Sequence, residues 1–246
     1  MKAKPTEEDV YPMRLNKYLA RQGITTRRAA DELIARGRVM VNGQVATLGT
    51  KVEESDKVEV ASGATPKRYS YFAYHKPIGV ITHSPQRGEK DVKQDARERG
   101  VLDVFPVGRL DKDSSGLMIL TNDGRVTDRL LNPRYDHDKE YQVRTLETLR
   151  ESFKKTMEGG VNIEGYITAP CTVRKTGPKS FNITLSEGKK HQIRRMVAAL
   201  HNQVTELKRV RIMNVRLEDL APGDARPIMG EELATFLEKL GLSSPR

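Results

Sequence analysis

A glycine-bounded loop, Gly108-Arg109-Leu110-Asp111-Lys112-Asp113-Ser114-Ser115-Gly116, runs directly into Leu117-Met118-Ile119-Leu120-Thr121, and this passage constrains the fold most. Such an apolar run is too short for a typical helix and reads as a buried strand. The loop before it sets one carboxylate, Asp111, between the cations Arg109 and Lys112. A carboxylate held at the mouth of a rigid element is a candidate catalyst. Turn chemistry is the competing account, because Asp, Ser and Gly are the residues turns use.

Runs rich in aromatic or β-branched residues recur at 69–74, 141–144, 172–174, 181–185 and 204–207, which predicts further strands. Helices are fewer. Thr148-Leu149-Arg150-Glu151 has the form of a capping box, predicting a helix toward Met157 that ends at Gly159-Gly160. Ile193, Met196, Val197 and Leu200 share one helical face, as do Leu233, Phe236, Leu237 and Leu240. Many strands with occasional helices predict the α+β class, a mostly antiparallel sheet flanked by helices.

The N-terminal part has its own pattern. Residues 1–12 are polar and carry two prolines, which predicts a mobile tail. Leu15, Tyr18 and Leu19 stand at helical spacing, and Thr26 is placed to cap a second helix, with Ala29, Ala30, Leu33 and Ile34 on one face and Gly37 as its stop. Val39-Met40-Val41 and Gln44-Val45-Ala46 flank Asn42-Gly43, a hairpin signal, and Val58-Glu59-Val60 supplies another strand. Ser62-Gly63-Ala64-Thr65-Pro66 reads as linker. The expected division is a tail at 1–12, a small module at 13–62, a linker at 63–67 and a larger domain at 68–246, which suits a chain of 246 residues.

Charge bears on partners. A net charge of +10 and a pI near 9.6 favour a polyanion through phosphate neutralisation and counterion release. Arg14, Lys17, Arg21, Arg27, Arg28 and Arg38 fall on the small module, where a solvated surface is the ordinary reading. A single cysteine, Cys171, excludes an intramolecular disulfide and any multi-cysteine zinc site, and fits a small buried apolar residue. The five histidines lack metal-ligand spacing, and no phosphate loop or dinucleotide glycine fingerprint is present, so no cofactor and no metal are expected. No apolar run has signal-peptide or bilayer-spanning length, so the expectation is a cytoplasmic protein, a monomer with no membrane partner.

Four segments in order resemble the RNA pseudouridine synthases that modify ribosomal RNA: Lys76-Pro77-Ile78-Gly79, the Asp111 loop, Lys139-Glu140-Tyr141, and Gly188-Lys189-Lys190-His191-Gln192-Ile193-Arg194-Arg195-Met196. Residues Arg14 to Leu19 through Val39 to Gly43 are similar to an S4-type RNA-binding module. The pairing narrows the likeness to the rRNA branch of the family, and Arg211-Ile212-Met213-Asn214-Val215 to its 23S rRNA group. The resemblance implies that the α+β domain is a pseudouridine synthase domain and that ribosomal RNA is the partner, with tRNA a candidate second substrate. It reverses the surface reading of the small module's cations, making Arg14, Lys17, Arg27, Arg28 and Arg38 RNA contacts.

The reaction so implied breaks the N1–C1′ bond of a uridine, turns the uracil and rejoins it through C5. It needs an ionised carboxylate, a group to handle the C5 proton and a pocket for an extruded base, and no redox carrier. The resemblance assigns Asp111 as nucleophile, Tyr141 as the ring that stacks on the base and a candidate for proton transfer, Arg194 as the charge that keeps Asp111 ionised, and Arg109 as the residue that enters the RNA stack. Leu185 is a candidate floor under the base. Helical position supports Arg194, which sits at the margin of the apolar stripe with Arg195 turned further out. The bland alternatives are a half-buried core tyrosine, an arginine lying over apolar neighbours, and Arg109 bracing Asp113. At the level of function the alternative is a non-catalytic RNA-binding or ribosome-assembly factor with the same fold, in which the set Asp111, Tyr141 and Arg194 has no purpose. A glycosidase is disfavoured, since the chain has no Trp for sugar stacking.

Overall fold

The computed structural model describes residues 11–22, 24–25, 27–61, 69–132 and 134–242. The linker 63–67, the Thr26 cap, most of the predicted tail and the Arg28 side chain lie outside the described residues. The chain forms two compact units, one holding the described residues up to Tyr69 together with Asn122–Asp128, the other Ser70–Thr121 and the described residues from Arg129 on.

In the first unit, α1 (Leu15–Arg21) and α2 (Arg27–Ala35) pack beside two small sheets. Strand β1 (Met13–Arg14) pairs with β4 (Lys51–Val52), while β2 (Val39–Val41) lies between β3 (Gln44–Val45) and β5 (Val58–Val60). The Asn42-Gly43 turn has positive φ at both residues, 51° and 78°, as a tight hairpin matched to the strand twist requires. Asn42 also accepts from the Lys57 amide at 2.9 Å and donates to Asp56 at 2.8 Å, which ties the hairpin tip to the loop before β5. Met13, Leu15, Leu19, Ala30, Ile34, Val39, Ala46 and Val52 form one core. The β1–β4 pair carries no sequence signal, because two residues are too few to display an alternation.

The second unit is built on one nine-stranded sheet. Its elements are β6 (Tyr71–Lys76), α3 (Val92–Glu98), β7 (Phe105–Val107), β8 (Ser115–Thr121), α4 (Gly124–Leu131), which starts in residues of the first unit, β9 (Lys139–Thr145), α5 (Phe153–Glu158), the short pair β10 (Asn162–Ile163) and β11 (Tyr166–Ile167), β12 (Thr172–Gly177), β13 (Ser180–Leu185), α6 (Gln192–Ala199), β14 (Val204–Ile212), β15 (Val215–Arg216), β16 (Ala225–Pro227) and α7 (Gly230–Lys239). The order is β12-β13-β9-β14-β8-β6-β16, with β7 beside β8 and β15 beside β14. Every pairing is antiparallel except β14 with β8.

That parallel contact decides what can stand at the entrance to β8. Gly116 has φ +110°, and a Cβ there would lie 2.2 Å from the Arg209 carbonyl oxygen, so only glycine lets the backbones meet. On one face of the sheet Val143, Val173, Phe181, Ile183 and Leu207 meet Phe153 and Met157 of α5 and Ile193, Met196 and Val197 of α6. Burying each larger side chain contributes about 1.5–3 kcal/mol, which is how α6 is held in place.

One helix boundary differs from expectation. Thr148 caps nothing, and α5 begins only at Phe153. The Leu149 amide donates to the Pro178 carbonyl at 2.7 Å and the Leu149 side chain is buried, so residues around it are docked on the β12–β13 turn and cannot form a first helical turn. Gly159 ends α5 as expected. Helix α3 was not signalled by apolar periodicity. Its cap is Asp91, whose side chain accepts from the Gln94 amide at 2.7 Å. Cys171 is half-buried, and burial pushes its thiol up to about 11, so it is an unreactive packing residue.

Candidate active site

The Asp111 loop is clamped from beneath by the Lys76-Pro77-Ile78-Gly79 turn. Lys76 is fully buried at the end of β6, and its ammonium donates to the Ser114 and Pro77 carbonyls at 2.8 Å each and reaches the Lys112 carbonyl at 3.5 Å. The Gly79 amide also donates to the Lys112 carbonyl, at 2.8 Å. Thr82 brackets the other side, donating to the Leu110 carbonyl at 2.7 Å and accepting from the Leu110 amide at 3.1 Å. Burial lowers the Lys76 ammonium to about 8, against the opposing pull of Asp113 and Asp111. The local sequence pattern of this motif signals no task. Its task is to fix the backbone that carries Asp111.

Asp111 itself is part exposed, with its side chain 29% accessible, so the carboxylate is held yet reachable. The Ser114 amide donates to the Asp111 carbonyl at 3.1 Å and closes the turn. One side-chain partner faces the carboxylate: His191 Nε2 stands 3.4 Å from Asp111 Oδ1. His191 is in left-handed backbone conformation, φ 51°, immediately before α6, which turns its ring off the helix path.

Arg194 reaches the same loop by a different contact from the one expected. Its Nη2 pairs with Asp113 Oδ2 at 3.1 Å and donates to Ser114 Oγ at 3.1 Å and to the Asp113 carbonyl at 3.2 Å, and Nη1 donates to the Val204 carbonyl at 3.4 Å. No Arg194–Asp111 ion pair occurs among the described residues. The guanidinium fork is filled by Asp113 and Ser114, and the side chain beside Asp111 is the His191 imidazole. The nearest sequence signal for His191 was its place in the basic segment before α6. Arg195, expected further out, is tied to Glu164 at 2.7 Å and to the Ile163 carbonyl at 3.0 Å.

Tyr141 projects from β9 between Ile183 of β13 and Arg209 of β14. It is part buried and touches two apolar clusters, one of which contains Leu110, the residue before Asp111. Its ring therefore stands on the α6 side of the sheet, where Arg194 also reaches the loop. Arg209 beneath it is buried, with Nε donating to the Leu117 carbonyl at 2.7 Å. Leu185 lies in the core beside Ile193, consistent in position with an apolar floor. Arg109 is exposed and makes no ion pair or hydrogen bond among the described residues, so it does not brace Asp113.

On the first unit, Arg14 precedes α1, Lys17 lies in it, Arg27 opens α2, and Arg38 precedes β2; Arg14, Arg27 and Arg38 are exposed. Arg14 also lines a hollow of about 290 Å³ with Asn16, Asp31 and Thr50. Among the described residues no group of His, Cys, Asp or Glu is arranged to hold a metal ion, and no helix is long and apolar enough to cross a membrane.

Comparison with known proteins meets this geometry. Residues 70–199 match the RNA pseudouridylate synthase family, and residues 13–58 match the S4 domain. The chain is 39% identical over 236 residues to the dual-specificity RNA pseudouridine synthase RluF of Escherichia coli, covering 94% of this chain and 81% of that one. It is 36% identical over 229 residues to the ribosomal large subunit pseudouridine synthase B of Bacillus subtilis, covering 89% and 93%. Among solved structures, a pseudouridylate synthase crystal structure superposes with a TM-score of 0.67 at 28% identity, covering 93% of this chain and 99% of that one. With a clamped aspartate loop, a tyrosine strand and a basic helix start assembled in one unit that follows an S4 domain in the sequence, the chain belongs to the RNA pseudouridylate synthase family.

Proposed function

We propose that this synthase isomerises a specific uridine of ribosomal RNA, in the 23S molecule, with Asp111 as the nucleophile, Tyr141 packed on the flipped base and Arg194 holding the catalytic loop. The observation that carries the reading is the part-exposed Asp111 carboxylate, faced by His191, on a loop fixed by Lys76 and Thr82. Such rigidity suits a nucleophile that must meet a sugar or base carbon within a few tenths of an ångström. It has no purpose in a protein that only binds RNA, which disfavours the assembly-factor alternative. The ribosomal assignment draws support from the name of the Bacillus subtilis relative, and tRNA remains in this reading as a second substrate class to be tested alongside.

Nothing is gained or lost in the isomerisation: the N1–C1′ bond breaks, a C5–C1′ bond forms, the C5 proton leaves and N1 takes one up. Stacking on Tyr141 contributes about 1–3 kcal/mol, comparable with the few kcal/mol that extruding the base costs. Arg109, exposed beside the nucleophile, enters the space the base vacates. Residues 13–62 serve as the S4 anchor, with Arg14, Lys17, Arg27, Arg28 and Arg38 as its RNA contacts, residues 68–246 carry the chemistry, and the enzyme works as a cytoplasmic monomer on its RNA. Mapping pseudouridines in rRNA and tRNA from cells with and without the protein tests the assignment. Loss of a 23S site supports it. Identical rRNA maps overturn it.

A further inference from the structure

We propose that the sheet face turned away from Tyr141 is a second RNA-backbone contact surface, centred on Arg174, Lys208 and Arg216. The strand registers place Arg174, Asn182, Gln142 and Lys208 directly opposite one another on β12, β13, β9 and β14. At the usual spacing of neighbouring strands, this row spans about 14 Å, with a cation at each end and two amides between. It alternates with Val173, Ile183, Tyr141 and Val143, whose side chains serve the other face. Above the row lie two adjoining hollows of about 340 and 300 Å³, both lined by Gln142, Arg174, Asn182 and Lys208.

Charge decides what fits there. Every acid lining the hollows already has a cation: Glu140 has Arg211 at 3.0 Å, Glu206 has Arg144 at 3.4 Å and Glu218 has Arg226 at 3.8 Å. Arg174, Lys208 and Arg216 have neither an ion pair nor a side-chain hydrogen bond among the described residues. The surplus is therefore positive, and it is arranged as separated cations joined by amide donors and acceptors. That pattern suits phosphates with ribose hydroxyls between them and carries no base-reading pocket. The surface contacts a flanking segment of the same RNA whose uridine is modified on the opposite face, and it rests on the RNA substrate class alone.

The test is equilibrium binding of a large-subunit rRNA fragment to the full chain as a function of salt, for wild type and for Arg174→Gln, Lys208→Gln and Arg216→Gln combined. Three lost phosphate contacts should make the slope of log affinity against log salt shallower by about 2–3 and weaken binding at least tenfold at low salt. Single-turnover conversion at saturating RNA should not change, since no ion pair or side-chain hydrogen bond among the described residues joins any of the three to Asp111, Tyr141 or Arg194, and the backbone pairing of Lys208 with Ser115 survives the substitution. An unchanged slope overturns the proposal, and so does an equal change in a control carrying Lys93→Gln, Arg97→Gln and Lys239→Gln, which would make the effect one of net charge. An unchanged RNA slope with loss of polyglutamate binding would assign the face to an acidic protein and also overturn it. The readout is affinity, so its failure leaves the catalytic assignment standing, and failure of catalysis leaves this result intact.

Discussion

Lys76 makes a prediction whose size follows from its surroundings. Its ammonium is fully buried and held at about 8, against 10.5 for a free lysine. The folded protein therefore releases this proton more readily than the unfolded chain, and between pH 8 and 10.5 the unfolded chain holds more protons. Stability must rise with pH through that interval, by about 3 kcal/mol in full. Tyrosines begin to ionise near the top of the window, so the useful range is pH 7.5 to 9.5, where about 2 kcal/mol of the rise falls. The neutral amine keeps two N–H donors, enough for the Ser114 and Pro77 carbonyls, so the loop stays clamped as the charge leaves. In Lys76→Met that contribution should vanish, while Lys139, also lowered to about 8 by burial, should keep a comparable one of its own. Urea unfolding at several pH values measures both. Equal pH dependence in wild type and Lys76→Met would refute the idea that a buried cation holds the loop. Turnover should also fall in the variant, because two loop carbonyls lose their donor.

His191→Asn, which tolerates the left-handed backbone but shortens the reach, should lower the single-turnover rate about tenfold, the equivalent of about 1.4 kcal/mol, with RNA affinity within about twofold of wild type. An unchanged rate would show that the His191–Asp111 contact does not position the carboxylate. Gly116→Ala should cost about 3 kcal/mol or more in urea unfolding, because its Cβ would strike the Arg209 backbone. Wild-type stability in that variant would contradict the close β8–β14 approach.

Much of this architecture was legible because it rests on local rules. The Asn42-Gly43 hairpin, the α6 stripe and the strand after the Asp111 loop each announce themselves through turn chemistry or periodicity, and each appears where expected. The failures share a cause, which is that long-range contacts overrule local signals. Thr148 has the residues of a capping box, yet the docking of Leu149 against the β12–β13 turn takes its backbone away. The apolar stripe puts Arg194 at the edge of its helix, but which loop carboxylate it meets depends on a turn built 80 residues earlier and fixed by Lys76. The roles of Lys76 and His191 could not be read at all, since a buried cation under a loop and a ring swung out by left-handed backbone leave no mark in periodicity.

The most direct test of the central claim is single-turnover conversion by Asp111→Asn on an rRNA fragment that the wild-type enzyme modifies. The amide preserves the shape of the side chain and the Ser114–Asp111 turn, so fold and RNA affinity should stay close to wild type. It cannot act as a nucleophile. The expected result is bound RNA with no pseudouridine formed at any time point. Conversion at a rate comparable with wild type would remove Asp111 from the chemistry and with it the account of this site.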